Sequence, residues 1–262
     1  MSVVHAVVLG ILQGLTEFLP VSSSGHLALA QMMIPGFSQP GVLFDAMLHV
    51  GTASAVVWFE RRRIVRWAGT RGGRRLLGLL VFGTLATAVV GFTLRGVATD
   101  AFHKSLWVGM ALIVTGTVVA ITRFLAGGHH GEESTGWKQV LVVGLAQGIA
   151  VFPGLSRSGL TIAAGLGVGL ERSWAARFSF LLGVPAIAGA TVFELASNST
   201  ELASTAPAFW VACAVGMLAA GLSGYLALRV VLWAVSDRVF HRFSLYCIPL
   251  GILVVVMSSR IS

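Results

Sequence analysis

The chain has 262 residues, of which only 11% are charged while 56% are hydrophobic. Soluble globular domains carry about a quarter charged residues, so this composition excludes an ordinary soluble domain and indicates a membrane protein. The net charge of +8 does not indicate a nucleic-acid-binding protein, because seven of the eighteen lysine and arginine residues lie in one short segment, 61–75. Such clustering is typical of a cytoplasmic loop between membrane spans.

Six apolar segments follow one another along the chain, each long enough to cross a hydrocarbon core of about 30 Å as a helix. In chain order they are 41–59, 76–94, 105–122, 178–193, 202–228 and 243–259. The sequence therefore predicts an all-α polytopic membrane protein with six transmembrane helices, located in the bacterial inner (plasma) membrane.

Two polar motifs, residues 13–26 and 147–161, interrupt the apolar sequence and repeat one pattern. At a fixed offset of 134 residues the identical pairs are Gly10/Gly144, Gln13/Gln147, Gly14/Gly148, Phe18/Phe152, Ser22/Ser156, Ser24/Ser158 and Gly25/Gly159. Pro20 and Pro153 break a helix, and the serines and glycines that follow favour turns and helix caps. Each motif therefore predicts a helix, a break and a short second helix, which together form a re-entrant pair.

The basic residues favour re-entry over full crossing of the second motif. Re-entry puts 14 of the eighteen lysines and arginines on the cytoplasmic side, whereas full crossing leaves only 10 there. Three spans then separate the motifs, so the two halves, 1–128 and 129–262, are predicted to have inverted topologies. The first motif enters from the outer face, and both motifs meet near the middle of the membrane, as in other inverted repeats with broken helices.

The polar residues of the two motifs predict a phosphate site and a metal site. Arg157 lies within the membrane, where a charged residue is functional by default, and a guanidinium binds phosphate oxygens in pairs. Helix N-termini at the breaks offer further N–H groups to phosphate. Gln13 and Glu17 share a helix face and offer hard oxygen ligands suited to Mg²⁺ or Ca²⁺. An ion pair between Glu17 and Arg157, which would hold the halves together, is the alternative interpretation, and both can hold in the resting protein.

The remaining polar residues divide the chemistry between the motifs. His26, close to a serine, an arginine and a carboxylate, is predicted to act as an acid, a base or a nucleophile, with a packed core histidine as the alternative. Ser23 and Arg157 occupy equivalent positions of the repeat, although their residue types differ. The first motif is therefore predicted to carry the reacting groups and the second motif the phosphate contacts. The other hydroxyls are predicted to bind substrate, with helix capping as the alternative; they are Ser22, Ser156, Ser158 and Thr161. Asp45, an ionisable residue in a span, is a further candidate for the substrate site.

Both motifs resemble those of the bacterial undecaprenyl-diphosphate phosphatases of the bacitracin-resistance type. That family carries a Glu/Gln-x-x-x-Glu box followed by Pro-Val-Ser-Ser-x-Gly-His, and then Pro-Gly-x-Ser-Arg-Ser-Gly-x-Thr. Here these are Gln13 to Glu17, residues 20–26 and residues 153–161, and the resemblance runs nearly end to end. The first box position is Gln13 rather than glutamate, which leaves one carboxylate fewer for a metal.

The resemblance implies hydrolysis of undecaprenyl diphosphate to the monophosphate carrier of cell-wall synthesis, with a divalent metal ion. It implies Gln13 and Glu17 at the metal and Ser23 and His26 at the reaction centre. It also implies phosphate contacts from Ser156, Arg157 and Thr161. Which of Ser23 and His26 attacks phosphorus stays open, and Ser23, passing its proton to His26, is the preferred nucleophile.

Two function classes are consistent with the sequence. The first is an integral-membrane phosphatase acting on a polyprenyl diphosphate lipid at the outer (periplasmic) face. The second is a polyprenyl-phosphate transporter or flippase, which the inverted repeat itself suggests. A nucleophile, an acid/base group and a metal box together favour the enzyme, because a carrier needs phosphate contacts but no attacking group. Membrane lipids are the expected surroundings, no nucleic-acid partner is expected, and homo-oligomerisation is left open.

Overall fold

A computed structural model describes residues 2–35, 37, 42–102, 105–197 and 206–261. Within these ranges the chain forms ten α-helices and a short 3₁₀ helix, Phe240–Phe243. The α-helices are α1 (Val3–Phe18), α2 (Ser23–Met32), α3 (Leu43–Trp67), α4 (Arg71–Phe102), α5 (Ser105–Ile121), α6 (Trp137–Ile149), α7 (Arg157–Gly167), α8 (Arg172–Ser197), α9 (Pro207–Ser236) and α10 (Ser244–Ile261).

The all-helical membrane class predicted from the sequence is confirmed. By length and composition, four helical stretches can cross a membrane: Arg71–Thr99, Arg172–Ser197, Pro207–Ser236 and Phe240–Ser258. Two shorter apolar helices, Val3–Phe18 and Ser105–Ile121, accompany them. The remaining predicted span, 41–59, overlaps the first part of α3, which carries Asp45 and Glu60 among its apolar residues. Residue 41 of this span and residues 202–205 of the predicted span 202–228 lie outside the described residues.

Several helix boundaries recur at the offset of the two sequence motifs. The starts of α1 and α6, the starts of α2 and α7, and the ends of α4 and α9 are each 134 residues apart, the same offset as in the sequence motifs. Each half thus contains a medium helix, a short helix and three longer ones in the same order.

Helices of one half pack mainly against helices of the other. The first helix of each half lies along the fourth helix of the other half, α1 on α9 and α6 on α4, while α3 packs on α8 and α5 on α10. Glycines permit the close approach at these crossings: a Cβ at Gly10 would overlap the Gly216 carbonyl, and one at Gly144 would overlap the Gly83 carbonyl. Small residues of this kind are typical of helix contacts inside membranes.

Both predicted helix breaks are present. α1 ends at Phe18 and α6 at Ile149, so these helices are only about 24 Å and 20 Å long. Backbone with positive φ turns the chain at both breaks, at Ser22 (φ 68°) and at Gly154 (φ 92°). A serine then caps each short helix: Ser22 Oγ accepts from the Gly25 amide at 3.4 Å in α2.

A buried ionic cluster near the end of α3 links several elements at a distance from the two helix breaks. Glu60 is only 2% exposed, and its carboxylate accepts hydrogen bonds from Arg63 of the same helix and from Arg177 of α8. Arg63 also pairs with Glu132, which accepts a hydrogen bond from the indole of Trp67. Since a buried carboxylate is costly unless its charge is compensated, this cluster joins α3, α8 and the α5–α6 connection.

Candidate active site

The two breaks bring Glu17 and Arg157, 140 residues apart, into direct contact. Arg157 donates through Nη2 to Glu17 Oε1. The other carboxylate oxygen, Oε2, accepts from Ser23 Oγ at 2.7 Å and from Gln13 Nε2 at 2.9 Å. His49 Nε2 lies 3.4 Å from the same oxygen. A single buried carboxylate therefore sits at the centre of four polar side chains from both halves.

Positions that are equivalent in the repeat carry different residues around this carboxylate. Ser23 and Arg157 are equivalent, and both contact Glu17 from the first turn of a short helix. His49 and Gly183 are also equivalent, since they too are 134 residues apart. A Cβ at Gly183 would overlap Arg157 Nη1. Where the first half has the side chain of His49, the second half has none at Gly183. The Arg157 guanidinium occupies that space.

Two buried polar atoms at the centre lack a hydrogen-bond partner among the described residues. They are Arg157 Nη1, a donor, and Gln13 Oε1, an acceptor. Buried polar groups are nearly always paired, so an unpaired donor and an unpaired acceptor in one cluster point to a ligand. The donor suits a phosphate oxygen and the acceptor suits a cation.

The hydroxyls of the second motif mainly shape the backbone that presents Arg157. Ser156 Oγ caps α7 by accepting from the Gly159 amide at 3.1 Å, and it lies 3.1 Å from Ser158 Oγ. Thr161 Oγ1 donates to the Arg157 carbonyl at 2.7 Å and lies 2.5 Å from the buried hydroxyl of Ser179. These contacts fit the capping interpretation, and direct contact of the hydroxyls with substrate stays a prediction.

His26 lies in α2 but makes its contacts away from Glu17. Its Nδ1 is 2.8 Å from the Ser22 carbonyl, and its Nε2 is 2.6 Å from the hydroxyl of Tyr246 in α10. The Ser23 hydroxyl, expected to pass its proton to His26, points instead at the carboxylate of Glu17. Sequence reasoning missed the contact between Tyr246 and His26, since no motif contains Tyr246.

Asp45 lies one helical turn before His49 and contacts α2. Its Oδ1 accepts from Gln31 Nε2 at 2.5 Å, and its backbone carbonyl lies 2.7 Å from His49 Nδ1. Asp45 is therefore linked to the cluster through His49, and its contact with substrate stays a prediction. The position of His49 beside Glu17 was not predicted, although the repeat offset to Gly183 could have marked both positions.

Comparison with known proteins identifies the family. A family model described as "Bacitracin resistance protein BacA" matches residues 6–253. The chain belongs to the BacA family.

Curated relatives in this family match nearly from end to end. A protein of Syntrophotalea carbinolica named undecaprenyl-diphosphatase is 40% identical over 267 residues, which cover 99% of this chain and all of the relative. A Desulfosudis oleivorans protein of the same name is 42% identical over 96% of this chain and 97% of its own length. One from Methanosphaera stadtmanae, also so named, is 33% identical over 98% of this chain and 99% of its own length.

The metal site predicted for this BacA-family chain has a small set of protein ligands. Among the described residues, no three His, Cys, Asp or Glu side chains gather closely enough to hold a metal ion. Glu17 offers a carboxylate, and Gln13, which donates to it through Nε2, offers an unpaired buried amide oxygen. Hard oxygen donors of this kind fit Mg²⁺ or Ca²⁺ provided that water and phosphate oxygens complete the shell.

Proposed function

We propose that the chain is an integral-membrane phosphatase that hydrolyses undecaprenyl diphosphate to undecaprenyl phosphate and inorganic phosphate. This reaction recycles the lipid carrier of cell-wall synthesis and confers resistance to bacitracin. The names and full-length similarity of the curated relatives support the substrate. The observation that carries the chemistry is the Glu17 carboxylate, which accepts the Ser23 hydroxyl on one oxygen and binds Arg157 on the other.

Ser23 is the proposed nucleophile. Its Oγ forms a bond to the terminal phosphorus of the lipid diphosphate while the bond from that phosphorus to the bridging oxygen breaks. Undecaprenyl phosphate leaves, and water then releases inorganic phosphate from the serine. The 2.7 Å contact favours Glu17 over His26 as the first acceptor of the Ser23 proton, because a base must lie within hydrogen-bond reach.

Arg157 is the proposed phosphate-binding residue. Its unpaired Nη1 donor and its charge suit the negative oxygens of the diphosphate. Phosphoryl transfer depends mainly on positioning and charge neutralisation, and one guanidinium held between Glu17 and Gly183 serves both. Ser22, Ser156, Ser158, Thr161 and Asp45 are proposed to line the substrate site around it.

Gln13 and Glu17 are proposed to hold a divalent cation, Mg²⁺ or Ca²⁺. The unpaired amide oxygen of Gln13, whose Nε2 donates to Glu17, supports this assignment. When bound, such a cation supplies positive charge to the phosphate oxygens. The protein residues still provide the nucleophile, the proton acceptor and the guanidinium.

The proposed arrangement in the membrane is an inverted repeat of two halves, 1–128 and 129–262, each with one re-entrant pair and three spans. The shortness of α1 and α6 supports re-entry, because helices of 16 and 13 residues lie below the range of about 17–25 residues that spanning helices have. The arginine-rich segment 61–75 supports a cytoplasmic α3–α4 connection. The site then opens to the outer face of the plasma membrane, and the prenyl chain stays in the lipid.

Release of inorganic phosphate separates a phosphatase from a strict polyprenyl-phosphate carrier. We expect purified protein in detergent to release phosphate from undecaprenyl diphosphate and to lose this activity when a chelator removes divalent cations. In sealed right-side-out vesicles, a water-soluble short-chain prenyl diphosphate added outside should be hydrolysed without opening the vesicles. A strict carrier would release no phosphate. Phosphate release that resists the chelator would contradict the metal proposal. Hydrolysis that appears only after the vesicles are opened would contradict the outward-facing site.

Replacement of Gly183 tests whether Arg157 needs the space beside it. We expect Gly183→Ala to lower the rate of phosphate release about a hundredfold, because the new methyl group displaces the guanidinium and misplacement by about 1 Å costs that much. Gly189→Ala is the matched control, since it lies in the same helix and a Cβ there would meet nothing within 4 Å. Equal activity of the two variants would contradict the proposed role of the Gly183 position.

A further inference from the structure

Tyr246 lies outside both motifs, yet it contacts a motif residue directly. It lies in the first turn of α10, and its hydroxyl lies 2.6 Å from His26 Nε2 across 220 residues of sequence. The two rings are nearly parallel, with centroids 5.7 Å apart and an interplanar angle of 19°. The hydrogen bond therefore joins the edges of two nearly parallel rings.

The hydrogen bonds of His26 fix which ring nitrogen carries the proton. Nδ1 lies 2.8 Å from the Ser22 carbonyl, and a carbonyl oxygen can only accept. Nδ1 must therefore be protonated, and in the neutral ring Nε2 then carries the lone pair. The Tyr246 hydroxyl is the donor that satisfies this lone pair.

A second contact next in sequence holds Tyr246 in place. Cys247 is fully buried, and its Sγ donates to the carbonyl of Pro20 at 3.1 Å. The first turn of α10 is thereby docked on the first helix break through two adjacent side chains. Tyr246 is thus held against His26 by the fold as well as by its own hydrogen bond.

We propose that Tyr246 is a positioning residue for His26 in the hydrolysis reaction. It holds the imidazole in one orientation and one tautomer, with Nδ1 protonated, and it covers Nε2, the only nitrogen that could attack phosphorus. His26 is then held in one orientation at the first helix break, and Ser23 is left as the nucleophile. This inference rests on the proposed phosphatase function.

A double-mutant cycle on phosphate release tests the inference. Four proteins are compared: wild type, Tyr246→Phe, His26→Ala and the double variant. We expect Tyr246→Phe to lower kcat about tenfold, the size of one lost hydrogen bond, with KM unchanged. In the His26→Ala background the same change should have no further effect, because residues that act through each other are not additive. Tyr225→Phe, at the only other tyrosine, should keep full activity.

The outcomes separate this inference from its alternatives. Unchanged or higher kcat in Tyr246→Phe would overturn it, and higher kcat is what a nucleophilic His26 freed at Nε2 would give. An equal tenfold loss in the His26→Ala background would mean a merely structural role and would also overturn it. Absence of phosphate release from wild-type protein would instead defeat the proposed function.

A spectroscopic measurement tests the tautomer without relying on activity. Histidine labelled with ¹⁵N reports ring protonation, and the His26 signals among the seven histidines are assigned by their loss in His26→Ala. We expect wild-type His26 to be protonated at Nδ1 alone and Tyr246→Phe to show a mixture of tautomers. Protonation of Nε2 alone in the wild type, or an unchanged tautomer in Tyr246→Phe, would overturn the inference.

Discussion

Glu17→Gln is expected to lower the rate of phosphate release by about a thousandfold or more. The amide that replaces the carboxylate cannot take the Ser23 proton, and it removes the negative charge opposite Arg157. Loss of a positioned proton acceptor alone costs about 10²- to 10⁴-fold. The measurement is kcat with undecaprenyl diphosphate in detergent at saturating lipid.

Two further variants separate lost chemistry from lost folding in Glu17→Gln. Removing one partner of a buried ion pair destabilises a protein by about 3–5 kcal/mol, so the thermal midpoint of Glu17→Gln should fall. The double variant Glu17→Gln with Arg157→Gln should recover much of this stability but no activity. Glu60→Gln, at a second buried carboxylate that pairs with arginine, should lose stability and keep its turnover. Appreciable turnover in Glu17→Gln would remove this carboxylate from the mechanism.

Arg157→Lys is expected to lose activity by about a hundredfold although the charge is kept. The planar fork of a guanidinium can contact Glu17 and a phosphate at once, whereas an ammonium is a point charge and cannot. The lysine side chain also does not fill the space over Gly183 as the guanidinium does. The measurement is kcat together with KM, and both should worsen because the guanidinium serves binding and catalysis.

The matched control for Arg157→Lys is Arg177→Lys. Arg177 also pairs with a buried carboxylate, Glu60, but at a distance from the reacting groups. The Arg177→Lys variant should retain most of its turnover. Near-normal turnover in Arg157→Lys would show that a single positive charge suffices and would contradict the fork geometry proposed here.

Local features of the site could be predicted from the sequence because they depend on neighbours in the chain. Pro20 and Pro153 lie in the breaks that follow α1 and α6, where a proline disfavours continuation of the helix, and the serines that follow cap the next helix in both halves. Gln13 and Glu17 are four residues apart in one helix, so their predicted common face appears as a 2.9 Å hydrogen bond. The ion pair between Glu17 and Arg157, one of two interpretations left open, is formed.

Contacts between distant segments could not be predicted in the same way. His49 approaches Glu17, and Tyr246 approaches His26, only because helices far apart in sequence pack at particular angles. Ser23 and His26 are three residues apart in α2, which favoured a direct contact between them. Each instead binds a partner outside α2, because Glu17 and Tyr246 approach this short helix from other elements.

The central claim is that a serine held by one buried carboxylate attacks the lipid diphosphate, and Ser23→Ala tests it most directly. The only side-chain hydrogen bond that the structure gives Ser23 is the one to Glu17, so the variant leaves the Glu17–Arg157 pair and the fold intact. The measurement is phosphate release from undecaprenyl diphosphate, with Ser24→Ala, the neighbouring serine, as control. We predict a loss of at least about a thousandfold for Ser23→Ala at unchanged thermal stability, as for other deleted nucleophiles. Phosphate release by Ser23→Ala at the rate of Ser24→Ala would contradict the account.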